Sequence, residues 1–380
     1  MVKKKTRYII WLGSVFNDEA VLKCSAISPA GNKWQLKFIN GINESEQYKV
    51  VSVGHRPERA FPKGKLFVIN NDNFSLPGIN QLLVPYLNLP YLRDFFINIQ
   101  LIVKYLLVFL ENGKPAHMIT YNSYQYNCFL ALFIKYVFNV NWVYILADPV
   151  NDKTGRYNVL HKLSDSHIYL SYGMFNKSNK QKKIHIDGGI DILDIAKTEQ
   201  FKSSTPYVLY TGRISKHNGI ELLIDAMDFV NPSLNLVICG KGHNSKLIDA
   251  TVDNSRRIKY LGMVDENELE SLVQNAEILV NPRLISNKTN NSIFPSKILE
   301  YIAYKKPIIS TKTFGISDEY NNIIEFVHDD NPLTMANKIN EVFMWDKAKR
   351  EKRTMEITDF IVLKKTWSIT TNSFIKWLNE

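Results

Sequence analysis

The chain has 380 residues, 45% hydrophobic and 12% aromatic, with 47 Lys/Arg against 37 Asp/Glu and a net charge of +10. That length exceeds one typical core and predicts two domains, while the apolar content excludes a disordered chain. Cys24, Cys128 and Cys239 are scattered without metal or redox spacing, which predicts a reducing compartment.

At the N-terminus, Lys3-Lys4-Lys5 and the apolar run YIIWLGSVF have the outline of a leader peptide. The run is short, meets Asn17-Asp18-Glu19 at once and has no small-residue cleavage pattern, so it reads as a first β-strand. The longest apolar stretch, 95–110, is too short to span a bilayer and carries Asn98, Gln100 and Lys104. Charge is uneven: residues 1–195 hold 23 Lys/Arg and 14 Asp/Glu (+9), residues 196–380 hold 24 and 23 (+1). A basic half rich in aromatics suits an anionic membrane surface or nucleic acid. The absence of any nucleic-acid motif favours the membrane, and a dispersed solvated surface stays open beside it.

Strand-like runs recur between helix-length segments. They are RYIIWLG, KVVSVG, KLFVIN, HMITYN, WVYILAD and HIYLSYG, then YVLYTG, NLVICG, IKYLGMV, EILVNP, PIIST and IIEFV. Short continuous apolar strands alternating with helices predict α/β architecture with parallel sheets covered on both faces. Two successive sets predict two doubly wound, Rossmann-like domains, and the irregular stretch 70–93 breaks the rhythm of a single barrel. The expected division is an acceptor-binding domain over 1–190, a donor-binding domain over 191–345 and a helical segment over 346–380. That last segment is expected to pack back on the first domain, with Trp367, Phe374 and Trp377 burying one helix face. The polar segment 187–205 reads as the linker. In such sheets ligands sit beyond the carboxyl ends of strands, so the chemistry is sought there.

Residues 291–310, NSIFPSKILEYIAYKKPIIS, are the most informative. A helix beginning near Pro295 puts Ser296, Lys297 and Glu300 on one face and turns Ile298, Leu299 and Ile302 inward. A lysine in the first turn opposes the helix dipole, unless an anion sits there among free backbone amides. Glu300, one turn deeper, would then meet hydroxyls of the same ligand, which suits a nucleotide sugar. A surface helix facing water is the plain alternative. After YVLYTG, Arg213 offers a permanently charged fork suited to phosphate, with Lys216 and Gly219 following. Gly240 and Gly242 follow NLVICG and permit close backbone approach, while Met263-Val264 follow IKYLG in a loop that could lie on a base.

These motifs resemble, in order and register over about 205–345, the donor half of retaining GT-B glycosyltransferases, specifically glycosyltransferase family 4. The resemblance implies two such domains facing each other across a cleft. It implies that Arg213 clamps the donor diphosphate and that Gly240 and Gly242 face the nucleotide. Met263 and Val264 then contact the base, Glu300 binds the ribose, and Phe294, Pro295, Ser296 and Lys297 meet phosphate and sugar. Gly13-Ser14 resemble the small-residue turn approaching the donor. Three departures stand out. Ser292 replaces the first glutamate of the family's pair, and Asn218 replaces the basic partner of Arg213, leaving Lys216 or Lys297 to supply the second charge. Tyr121-Asn122 stand where an acceptor-side histidine is expected, with Asp148 as a polar substitute. Asp329-Asp330 read as a solvated turn or a helix start.

The expectation is therefore a metal-independent hexosyltransferase using a UDP- or GDP-sugar as co-substrate, with no other cofactor and no nucleic-acid partner. The acceptor is expected to be a glycan or lipid-linked glycan in cell-surface polysaccharide synthesis. The protein would be cytoplasmic, at the inner membrane face through its basic first domain. The alternatives are a non-catalytic GT-B-like partner or glycan-binding subunit, and a nucleotide-sugar epimerase.

Overall fold

A computed structural model describes residues 7–24, 27–69, 76, 78–122, 125–149, 156–191, 205–242 and 257–380. The chain divides into two compact units. The first comprises Met1–Leu170, Lys177–Gly188 and Trp367–Glu380; the second comprises Ser171–Asn176 and Gly189–Thr366. The tail expected over 346–380 is thus shared: residues 346–366 belong to the second unit and 367–380 to the first. Most of the expected linker, 192–204, lies outside the described residues, as do Lys3, Lys4 and Lys5.

The first unit is built on a seven-stranded sheet, β1 (Arg7–Leu12), β2 (Tyr48–His55), β4 (Asn80–Val84), β6 (His117–Tyr121), β7 (Asn141–Leu146), β8 (Ser166–Tyr169) and β9 (Lys183–His185). Their order is β4-β2-β1-β6-β7-β8-β9 and every pairing is parallel. The run after the lysines is therefore a central strand, with Ile9, Ile10, Trp11 and Leu12 all buried. The C-terminal helix Trp367–Asn379 packs on the helix Pro29–Glu44, where Phe38 and Phe374 rings approach to 4.9 Å and both residues are fully buried.

KLFVIN behaves differently from its pattern. Only Phe67–Val68 form a strand (β3), paired antiparallel to β5 (Tyr86–Leu87) outside the main sheet. The edge strand β4 lies instead within the stretch read as irregular.

The second unit holds β10 (Tyr207–Thr211), β11 (Asn235–Cys239), β12 (Ile258–Gly262), β13 (Ile278–Asn281), β14 (Ile308–Thr311) and β15 (Glu325–Val327). They form a parallel six-stranded sheet in the order β12-β11-β10-β13-β14-β15. Val208 and Tyr210 join one core with the helices Ile220–Ala226 and Pro332–Phe343; Tyr207 and Leu209 join the other with Lys297–Ala303. Alternate side chains thus enter cores on opposite faces, which is why these strands read as unbroken apolar runs. In both sheets the strand order reverses beside the first strand, between β1 and β6 and between β10 and β13. Loops from those neighbouring strand ends diverge to opposite faces and leave a crevice. Among the described residues, no helix is long and apolar enough to cross a membrane.

Candidate functional site

In the second unit the crevice is bounded by the loops after β10 and β13. The Tyr210 hydroxyl and the Asn218 amide both donate to the Arg213 carbonyl, at 2.8 and 2.7 Å. The backbone of Arg213 is thereby fixed while its side chain is exposed. Asn218, at the place of an expected basic residue, is buried and serves this loop. Gly219 has φ 75°, and a Cβ there would fall 1.6 Å from the Pro282 carbonyl oxygen. The two loops are further joined by Leu284 N donating to His217 O at 3.2 Å and by the Asn290 amide donating to His217 O and Leu284 O. Gly240 and Gly242 have a local steric cause as well. Their missing Cβ atoms would stand 1.8 Å from the carbonyl oxygens of Gly212 and Ile214. Lys216 is exposed on a 3-10 turn, Lys216–Asn218.

The segment 294–300 folds close to its expected form. Phe294 and Pro295 are buried, Ser296 stands exposed before the helix Lys297–Ala303 with no capping bond from its side chain, and Ile298 and Ile302 are fully inside. Lys297 donates from Nζ to the Thr211 carbonyl at 2.7 Å and stands 4.0 Å from the centroid of the Tyr210 ring. A Cβ on Gly212 would lie 2.9 Å from the same Nζ. Burial, then the neighbouring Arg283 charge, push its pKa down to about 7, against the weaker pull of Glu300. Glu300 is exposed one turn further on.

Arg283 was not among the expected residues. It follows β13 as Arg213 follows β10, so the strand-end reasoning applied to both would have found it. Burial depresses its pKa too. Its Nε is buried without a hydrogen-bond partner, and it forms no ion pair among the described residues. The loop carrying it is clamped by Asp330, whose carboxylate accepts from Ile285 N at 2.7 Å and Ser286 N at 2.9 Å. Asp330 is therefore a loop anchor, and the pair stands at the start of the helix Pro332–Phe343, where Asp329 accepts from Asn331 N at 3.1 Å. Lys297 and Arg283, both half-buried, bring two positive charges to one strand-end crevice. Such an arrangement is costly unless an anion completes it.

The remaining expected residues stand around this centre to different degrees. Met263 is exposed beyond β12, Val264 packs partly on the core, and Ser292 lies in a 3-10 turn, Asn290–Ser292. Gly13 and Ser14 belong to the first unit. There they line a cavity of about 290 Å³ beside the β1–β6 reversal, together with His55, Arg93 and Tyr121. Ser14 Oγ donates to the His55 carbonyl at 2.9 Å. Burial and the Arg93 charge push the His55 pKa down to about 4, so its imidazole is neutral near pH 7. Asn122 holds Asp148 by a 3.2 Å hydrogen bond at the ends of β6 and β7.

Comparison with known proteins gives a family match over part of the chain. The model of the family Glycosyl transferases group 1 matches residues 191–355. No curated protein sequence matches the chain. Among solved structures, the chain is similar to sucrose-phosphate synthase from Thermosynechococcus elongatus, with 15% identity, a TM-score of 0.68 and 98% of each chain covered. It is similar to a glycosyltransferase from Rickettsia africae, with 12% identity, a TM-score of 0.69 and 98% of each chain covered. It is also similar to Anabaena HepE in complex with UDP, with 13% identity, a TM-score of 0.64 and 98% of this chain and 99% of that one covered. Residues 191–355 thus match glycosyl transferases group 1, and the chain has the GT-B fold.

Proposed function

We propose that the chain transfers a hexose from a nucleoside diphosphate sugar, UDP- or GDP-linked, to a glycan or lipid-linked glycan, with retention at the anomeric carbon and no metal. The observation that carries this reading is the pair Lys297 and Arg283, two half-buried cations with no carboxylate salt-bridged to either among the described residues. A diphosphate leaving group gains negative charge as the glycosidic bond breaks, and fixed cations in a site shielded from water stabilise that charge most when it is greatest. Exposed Arg213 and Lys216 supply further charge at the crevice mouth. Glu300 takes the ribose hydroxyls, Ser296 the sugar side of the diphosphate, and Met263 and Val264 the base, with Gly240 and Gly242 keeping the turn close to it. The complex of HepE with UDP supports a uridine donor. In the first unit the cavity at Gly13 and Ser14 receives the acceptor, with Asp148 as its polar partner. The protein works in cell-surface polysaccharide synthesis at the inner face of a membrane.

Thermal unfolding with saturating UDP, GDP, ADP and CMP tests the donor assignment in wild type and Glu300→Ala. Binding at about 100 times the dissociation constant adds about 2.7 kcal/mol and raises the midpoint by a few degrees. A shift with one diphosphate, diminished in Glu300→Ala, is expected. No shift with any nucleotide overturns the donor assignment and favours a non-catalytic subunit.

A further inference from the structure

The 20-residue helix Arg93–Asn112 is apolar on both faces. Ile97, Leu101, Tyr105 and Val108 are buried against the first unit. On the opposite side, Phe95, Ile99, Val103, Leu106, Leu107 and Leu110 face solvent, with Phe95 60% and Leu110 78% exposed. At 100° per residue these six cover one continuous ridge, while Gln100, Lys104 and Glu111 fall along a single flank. A helix apolar on two opposite faces carries more apolar surface than its core side buries, and a ridge of this length is more than scattered surface hydrophobes.

The helix lies against β5, and β5 pairs with β3. The segment 61–67, which runs into β3, is exposed and interleaves aromatics with cations: Phe61, Lys63, Lys65 and Phe67 all face solvent. Residues 56–94 hold five Lys/Arg (Arg56, Arg59, Lys63, Lys65, Arg93) against Glu58, Asp72 and Asp94, the last ion-paired with Arg93 at 3.3 Å. The charge selects the occupant. A second copy docking through this face would bring together two halves of net +9 each, which repel. An anionic surface is attracted by the same charge, and basic residues beside an apolar ridge with exposed Phe are the signature of an interfacial helix.

We propose that the ridge of Arg93–Asn112 and the segment 61–67 form a docking face for an anionic lipid bilayer. This deepens the proposed lipid-linked acceptor and rests on that reading, since a face beside the acceptor cavity would meet the acceptor where it is embedded. Arg93 and Ile97, on the helix itself, line that cavity.

Flotation of the full chain with vesicles tests it, comparing phosphatidylcholine alone with phosphatidylcholine plus phosphatidylglycerol. Binding to the anionic vesicles, weakened by salt, is expected. Lys63→Glu/Lys65→Glu lowers the partition coefficient by at least about tenfold. Leu106→Glu/Leu110→Glu abolishes binding, while the melting temperature and the nucleotide-induced shift stay at the wild-type values. No binding to anionic vesicles overturns the proposal, as does binding indifferent to both variants. A dimer by light scattering that Leu106→Glu/Leu110→Glu dissociates overturns it in favour of a second copy. None of the four substituted residues is assigned to the donor, so loss of vesicle binding and loss of donor binding are read separately.

Discussion

The Lys297 ammonium stands 4.0 Å from the Tyr210 ring centroid while donating a 2.7 Å hydrogen bond to the Thr211 carbonyl. A ring face and a carbonyl carry partial charge only, so this cation is held in place without being neutralised. Arg283 adds a second positive charge, and the pKa of Lys297 falls to about 7 in consequence of both burial and that charge. The site stores electrostatic cost that an anion would relieve.

Lys297→Met is expected to stabilise the nucleotide-free protein. Exchanging an uncompensated half-buried charge for an apolar chain of similar length gains about 1–2 kcal/mol. The same variant loses the nucleoside diphosphate shift. Urea unfolding with and without nucleotide checks both, and a loss of stability of that size would contradict the account.

Nucleotide affinity carries a pH signature with a defined sign. A bound diphosphate favours protonated Lys297, so its pKa in the complex lies above the free value of about 7. The complex then holds more protons, and affinity falls as pH rises, by up to about tenfold per unit above about pH 7. Calorimetry in buffers of different ionisation enthalpy should show proton uptake on binding. Lys297→Arg, which stays charged, should flatten the dependence.

Arg283→Ala should cost about 1.5–3 kcal/mol of diphosphate affinity, the range for hydrogen bonds to charged groups. Removing that charge also relieves its repulsion on Lys297, so the break in the affinity–pH profile moves upward. A variant that merely loosened the loop would lower affinity without moving the break.

Gly219→Ala and Gly78→Ala form a matched pair, with φ of 75° and 81°. At Gly78 a Cβ meets nothing within 4 Å, whereas at Gly219 it would overlap the Pro282 carbonyl. Gly78→Ala should cost about 1 kcal/mol, the ordinary left-handed penalty. Gly219→Ala should cost at least about 1–3 kcal/mol more, through backbone displacement between the β10 and β13 loops. Equal melting temperatures for the two would refute the packing argument.

His167 sets an acid limit on the first unit. Burial, then His161, lower its pKa to about 3, while its Nε2 lies 2.9 Å from both Ser164 Oγ and His161 O. The unfolded chain protonates near pH 6.5 and the folded one only near pH 3. The stabilisation is therefore complete above about pH 6.5 and lost as pH falls, by about 2 kcal/mol at about pH 5. Urea midpoints across this range should show the decline, and His167→Gln should reduce it.

Much of the fold was legible because parallel strands buried on both faces must be apolar along their whole length. RYIIWLG, WVYILAD, YVLYTG and EILVNP announce themselves for that reason, and the loop glycines for theirs: Gly219 and Gly240 take φ values of 75° and 134° that side chains avoid. Where burial is partial the pattern misleads. Asn80–Val84 is an edge strand with a partly polar run, and KLFVIN is apolar while Phe67 is 62% exposed.

The sequence by itself determined the strand-and-helix alternation, the glycine-bearing loops, the strand-end position of Arg213 and the helix-start position of Lys297, all of which rest on spacings of a few residues. Only the tertiary structure decided which strand ends become neighbours. Placing β13 beside β10 brings Arg283 and Lys297 to Tyr210 and Thr211 across more than seventy residues of chain, and Asp330 to the loop that holds Arg283. Charge repulsion, desolvation and enclosure act over a few ångströms in space, whatever the separation along the chain.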